Sequence, residues 1–358
     1  MITYLLNKIN YAILTLFGVV TVIFFLFNVL PGDPAQMMMG QNEDSEQLAK
    51  VKAKYGFDKP ILTQYAYYIN DLSPLSFHSN SKEDYTFLDA NKYNAAKLFT
   101  IGNTTTVLKF PYLRESFTKQ GKKVTQVLGE TLPNTFVLAV SAIIIAIIIG
   151  IALGVISALY KDQWLDKTIQ VLSTLGMSVP SFFSAILFAW LFGFVLHKYT
   201  NLEMTGSLYE LDDFGEAMHI KWKNLILPAI VLGIRPLAVV IQLMRNSLLE
   251  VFNQDYIRTA RAKGLSEFQI IKRHAVKNAL NPVVTAISGW FASMLAGAVF
   301  VEFIFGWNGL GKEIVNALNT LDLPVIMGSV LVIATLFVMI NILVDLVYVW
   351  LDPKVKLQ

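Results

Sequence analysis

The sequence predicts an all-α membrane protein with six transmembrane helices and a large external domain after the first. Three observations predict it. Of 358 residues, 54% are apolar and only 15% charged, and the mean hydropathy of +0.52 is too high for a soluble globule of this length. Six runs, at 9–30, 135–160, 168–196, 224–249, 282–305 and 323–351, each reach the roughly 20 mostly apolar residues that cross a hydrocarbon core. Between the fourth and fifth runs lies a short basic segment, Asp255 to Pro282, with the spacing of two helices.

The elements follow in order. Lys8 precedes the uncharged stretch Tyr11 to Leu30, longer than the roughly 7 to 15 apolar residues of a signal peptide and without a small-x-small cleavage site, so residues 1–30 read as an uncleaved first span. Residues 31–133 form the external domain: an amphipathic helix, a second helix started by Pro60, then a stretch at 73–117 rich in Asn, Ser, Tyr and Thr, with Thr104 to Phe110 as a strand. Residues 134–353 make a five-helix core that includes the basic loop at 251–282, and 354–358 form a tail. Pro180 in the third run is expected to kink that helix without dividing it.

Orientation rests on the short loops. Arg258, Arg261, Lys263, Lys272, Arg273 and Lys277, with Lys161, Lys167, Lys354 and Lys356, all fall on one side of a six-span chain, which the positive-inside bias makes the cytoplasm, with both termini there. The net charge of +3 is accounted for by this loop and the bilayer surface, and no nucleic-acid partner is required. No cysteine is present, which excludes disulfides and thiolate metal sites. The four histidines have no ligand spacing, so no metal or other cofactor is expected. Asn103-Thr-Thr is read as a chance sequon.

The loop carries the most local information. Gly264 suits a left-handed helix stop, Ser266 and Gln269 have capping-box spacing, and Leu265 and Ile270 sit where a hydrophobic staple closes. Phe268, Ile271 and Ala275 then recur at helical spacing, leaving Lys272, Arg273 and Lys277 to solvent or headgroups. The result is helix, glycine turn, helix. A DNA-binding helix-turn-helix shares that pattern, but about thirty residues between two spans leave no room for a domain around it. Gly306 to Glu313, GWNGLGKE, approaches a P-loop, yet Glu313 stands where Ser or Thr must hold magnesium, so no nucleotide chemistry and no enzymatic activity are assigned to this chain.

The run Asp255, Tyr256, Arg258, Thr259, Ala260, Arg261, Ala262, Lys263 and Gly264, with Ser266 and Phe268 behind it, resembles the ATPase coupling loop of binding-protein-dependent ABC importer permeases. Thr259, Ala260 and Arg261 stand where that family carries Glu-Ala-Ala. The chain is most similar to the B-type permease of dipeptide and oligopeptide importers. Leu30 to Pro34, Leu132 to Thr135, Trp307 to Gly311 and the terminal set Asn341, Leu343, Asp345, Leu346, Tyr348, Leu351, Asp352 and Pro353 continue the resemblance colinearly. It implies a type I ABC importer permease fold, with about forty residues of 73–117 as an insertion. It also implies a multi-pass subunit of the bacterial inner membrane, partnered by a second permease, two ABC ATPases and an external substrate-binding protein. The implied cargo is a di- or oligopeptide, with nickel chelates or another small solute as the alternative.

Inside the spans, Arg235 near the middle of the fourth run is the costliest group, and a cation at that depth faces a bundle interior or an aqueous cavity. Arg235, Gln242, Arg245 and Glu302 are the candidate translocation path, with Arg235 attracting a carboxylate; its rival role is a structural pair with Glu302 or a partner. Gln242 departs from the arginine the resembled family often carries. Asn341, Asp345 and Tyr348 share a helix face, read as packing groups ahead of a proton relay. A proton-driven secondary transporter using Asp345 or Glu302 would show paired broken helices in two halves, which the sequence does not. Gly150 and Gly154 form a small-xxx-small pair for close helix approach.

Overall fold

The computed structural model describes residues 2–29, 35–36, 45–82, 84–89, 92–212 and 215–351; the motif at 30–34 and the tail at 352–358 fall outside them. The helices and strands, in order, are α1 (Ile2–Val29), α2 (Ser45–Tyr55), α3 (Ile61–Leu72), β1 (Leu75–Ser79), β2 (Ala95–Ile101), β3 (Thr104–Lys109) and α4 (Val124–Leu159). Then come α5 (Trp164–Ser178), α6 (Ser181–Phe188) with a π-helical continuation Ala189–Val195, α7 (His197–Thr200), β4 (Tyr209–Leu211), β5 (Met218–Ile220) and α8 (Lys223–Phe252). The remainder is α9 (Asp255–Ala262), α10 (Glu267–Ile270), a π turn Ile271–Ala275, α11 (Val276–Ala279), α12 (Asn281–Gly297), α13 (Val299–Phe305), α14 (Leu310–Asn319) and α15 (Leu323–Leu351).

Four helices among the described residues are long and apolar enough to cross a membrane, and two bent pairs raise that to six if each pair is one span. The pairs correct the expectation for the third run. Its two helices, α5 and α6, meet at 108°. Proline disfavours helical backbone in the residue before it, and here Val179 adopts an extended conformation with φ −77° and ψ 131°, so the chain restarts at Ser181. The fifth run bends by 57° between α12 and α13.

Two compact units divide the chain, one of residues 1–12, 131–315 and 333–358, the other of 13–130 and 316–332. In the first, α8 is the central helix and packs against α5, α6, α12 and α13. Leu138 and Ala142 of α4, Ala185 of α6, Val231 and Leu232 of α8, Leu295 of α12 and Trp307 form its main core. The glycine pair of α4 lies on α8: a Cβ at Gly150 would come within 2.7 Å of Val240, and one at Gly154 within 2.7 Å of Met244, so only glycine admits this spacing. Trp307 is fully buried and its indole N–H donates to the Asn134 carbonyl at 3.0 Å. Asn134 in turn donates to the Asn308 carbonyl at 2.7 Å, and the Leu310 N–H donates to Thr135 Oγ1 at 2.8 Å. Two sequence motifs more than 170 positions apart thus form one hydrogen-bonded corner.

In the second unit, Val20, Ile23 and Phe24 of α1 pack with Tyr68 of α3 and Met327 of α15. Its antiparallel sheet has the order β1-β3-β2. β1 alternates with its polar side chains inward, burying Ser76 and His78 and exposing Leu75 and Phe77, whereas β3, the strand expected at Thr104 to Phe110, buries Thr105, Thr106, Val107 and Lys109 and β2 is exposed along almost all its length. The buried groups are bonded. Asp71 receives Arg114 Nε at 2.9 Å and the hydroxyls of Tyr93 at 2.9 Å and Tyr85 at 3.3 Å; the Lys109 ammonium donates to its carbonyl. Arg114 also lies over the Tyr68 and Tyr85 rings.

Candidate functional site

The basic loop grows out of the end of α8. Gln254 is extended, α9 follows, and Ile257 and Ala260 fall three residues apart on its inner face, fully or nearly buried. Gly264 has φ +77°, the left-handed stop that a Cβ would disfavour. Ser266 Oγ accepts from the Gln269 N–H while Gln269 Oε1 accepts from the Ser266 N–H, so the capping box is complete. Leu265, Ile270, Ala275 and Ala279 pack with Ile257 and Ala260 against Met244, Leu248 and Val251 of α8. One face is therefore anchored to α8. The opposite face presents Arg258, Thr259, Arg261, Ala262, Lys263 and two aromatic side chains, Tyr256 at 41% and Phe268 at 70% exposure. Asp255 pairs with Arg258 at 3.4 Å and Glu267 with Arg261 at 2.9 Å; the Asn278 amide donates to the Tyr256 hydroxyl at 3.0 Å.

The four candidate path residues are dispersed. Arg235 is exposed and makes no hydrogen bond or ion pair among the described residues, and it lines a small pocket open to solvent. Gln242 lies about two turns further along α8, its amide 3.7 Å from Met177 Sδ. Arg245 does not present a free cation: it holds Asp166 of α5 with Nε at 2.7 Å and Nη2 at 2.6 Å, and the Ser157 hydroxyl donates to the same carboxylate. Glu302 is fully buried, receiving the Gly311 N–H at 2.6 Å and the Lys312 N–H at 3.3 Å. A Cβ at Gly309 or Gly311 would meet the Glu302 carboxylate at 2.4 Å or 2.9 Å, which explains the glycines that gave this turn its P-loop look. Glu302 supports the turn and is not on the pocket wall with Arg235.

The pocket sits at the break of the third span. Gly176 and Val179 line it from α5 and the break, Ser181 and Ser184 from α6, Val231, Leu232 and Ile234 from α8, and Trp290, Ser293 and Met294 from α12. Only Arg235 among these was legible as a site residue. The serines gave no sequence signal beyond Pro180, whose break turns them inward.

A bundle of broken and continuous apolar helices around a central span, with a glycine-turn loop folded on that span, is the architecture of a transport permease. The chain belongs to the family described as binding-protein-dependent transport system inner membrane component, which matches residues 150–357, and its N-terminal companion family matches residues 1–81. It is 32% identical to the dipeptide transport system permease protein DppB of Alkalihalophilus pseudofirmus, over 99% of this chain and 100% of that one. The di/tripeptide transport system permease protein DppB of Pseudomonas aeruginosa is 31% identical over 100% of each chain, and the Bacillus subtilis dipeptide permease DppB 32% identical over 100% of this chain and 99% of its own. Among solved structures, an inward-facing MetNI methionine ABC transporter matches with TM-score 0.51 at 16% identity, over 64% of this chain and 97% of that one, which places the fold.

Proposed function

We propose that this protein forms one half of the pathway of an ATP-driven importer for di- or oligopeptides and takes its driving force through the loop at 255–282. The observation that carries the reading is the loop's two-faced construction. Its apolar side is locked onto α8, whereas Tyr256 and Phe268 stand exposed on a basic surface, as suits a helix seated in a groove of a partner subunit. ATP binding and hydrolysis belong to that partner, and an external binding protein delivers the peptide. The identities of 31–33% to peptide permeases over whole chains support the cargo class.

The mechanism is mechanical. α8 is a continuous helix from Lys223 to Phe252, with Pro228 and Pro236 inside it, that carries pocket residues at 231–235 and the loop at its end, so a displacement of the loop is transmitted along one helix to the pocket. Closure of the ATPase pair would bias the bundle between outward and inward access, by as much as the nucleotide-bound pair prefers one loop position. In this reading the loop and both termini are cytoplasmic and residues 31–133 are external.

Reconstitution of the permease pair with its ATPases and binding protein in liposomes tests this. ATP-dependent uptake of a labelled dipeptide is expected. Gly264→Val, which forces a β-branched residue into a left-handed position, is expected to abolish coupling while the chain still inserts. Normal peptide-stimulated ATP hydrolysis in that variant would rule out the loop's role.

A further inference from the structure

The pocket at the break of the third span has the chemistry of a carboxylate site. We infer that Arg235, together with the Ser184 and Ser181 end of α6, holds the C-terminal carboxylate of the peptide in transit. The inference rests on the importer reading above and specifies its cargo contact.

Three independent features meet there. The first is the guanidinium of Arg235, which has no acidic or carbonyl partner among the described residues although a cation inside a span ordinarily finds one. Arg245, ten residues on, shows the ordinary outcome, bidentate on Asp166. The second is the hydroxyls. Ser173, Thr174, Ser178, Thr285 and Ser288 on α5 and α12 all donate to a carbonyl four residues back in their own helices. The three serines lining the pocket, Ser181, Ser184 and Ser293, make no such bond, and Ser184 is only 8% exposed. Their hydroxyls are therefore not spent on their own helices and can donate to a group that enters the pocket. The third is the start of α6 itself. Its N-cap is Pro180, with no side-chain cap, so the first N–H groups and the positive end of the helix are unsatisfied beside Ser181.

Guanidinium, hydroxyl and helix N-terminus all donate, and the pocket's described lining contains no carboxylate to accept. The ligand end they complement is therefore an anion with planar acceptors. Trp290, Val231 and Met294 supply an apolar wall for a side chain beside it, and the pocket is open to solvent, so the rest of the peptide can extend out of it. α8 contributes Arg235 directly, so the loop's motion would carry this contact with it.

The experiment measures uptake of a dipeptide and of its C-terminal amide by the reconstituted complex with its binding protein, for wild type, Arg235→Gln, Arg235→Lys and Ser184→Ala. Comparing variants on each substrate cancels any preference of the binding protein. Arg235→Gln is expected to lower free-acid uptake by about tenfold or more, the worth of a charged hydrogen bond, while amide uptake stays within twofold of wild type. Arg235→Lys should recover part of the loss and Ser184→Ala should show a smaller, equally acid-selective loss of about threefold. Equal losses on acid and amide, in proportion to a lower yield of complex, would make Arg235 structural and overturn the proposal; so would no loss in either variant. Failure of the wild-type complex to move either peptide, while it assembles and hydrolyses ATP, would overturn the peptide-importer reading and this one with it.

Discussion

At the scale of single residues, buried polar groups in the second unit make firm expectations. Asp71 and Arg114 are 2% and 14% exposed at the side chain, so removing one leaves an uncompensated charge. Arg114→Met is expected to destabilise that unit by about 3–5 kcal/mol, read as lost hydrogen-exchange protection in β1 and β3. His78 gives a pH dependence. Burial holds its imidazole below the ordinary 6.5, partly opposed by the bond of Nδ1 to the Thr86 carbonyl. Nδ1 donates to the Thr86 carbonyl, which leaves Nε2 of the neutral ring free to accept from the Ser76 hydroxyl at 3.0 Å. Above pH 6.5 neither state takes up the proton. As pH falls below 6.5 the unfolded chain is protonated first, so the stability contributed by His78 is lost downward from that point. Denaturant midpoints at pH 7.5 and 5.5 should differ in that direction, and His78→Gln should flatten the difference.

At the scale of elements, close approach and capping decide. Gly154→Val should overpack the α4–α8 contact, where even a Cβ meets Met244 at 2.7 Å and the Ile241 carbonyl at 3.0 Å. A loss of about 1–3 kcal/mol is expected, seen as lower yield of folded complex, whereas Gly129→Ala, with nothing within 4 Å, should be silent. In the loop, Ser266→Ala removes the cap of α10 and should weaken it by about 1 kcal/mol. Coupling of ATP hydrolysis to uptake should then fall partway, with Ser266→Asp restoring it. The broken third span shows why such elements resist reading: hydropathy runs on across Pro180, and only the backbone of Val179 reveals the turn.

At the scale of the whole molecule, the orientation is the expectation to check, and the cysteine-free chain makes it simple. Ser81 and Lys263 are both exposed. A Ser81→Cys variant should react with an impermeant thiol reagent in intact cells, and a Lys263→Cys variant only after the membrane is opened. The reverse pattern would invert the topology and remove the loop from the ATPase side.

What the sequence determined by itself is what depends on neighbours along the chain. The apolar lengths, the stop at Gly264, the cap at Ser266 and the close-packing glycines of α4 are local or periodic and stand where expected, except that the third run is divided at Pro180 and the fifth is bent. What only the tertiary structure decided is which polar groups meet. Arg235 and Arg245 read alike in sequence, yet one is bound to an aspartate 79 positions away and the other is left open in a pocket. Glu302, read as a partner for Arg235, is committed to the Gly309–Gly311 turn. In the sheet of the second unit only β3 was legible, as Thr104 to Phe110; β1 hid because its buried face is polar and hydrogen-bonded, so its alternation runs opposite to a hydrophobic pattern, and β2 because it is exposed along almost all its length. Hydropathy adds along the chain and can be summed from sequence; pairing depends on which helix faces are brought together, and that is fixed only when the bundle closes.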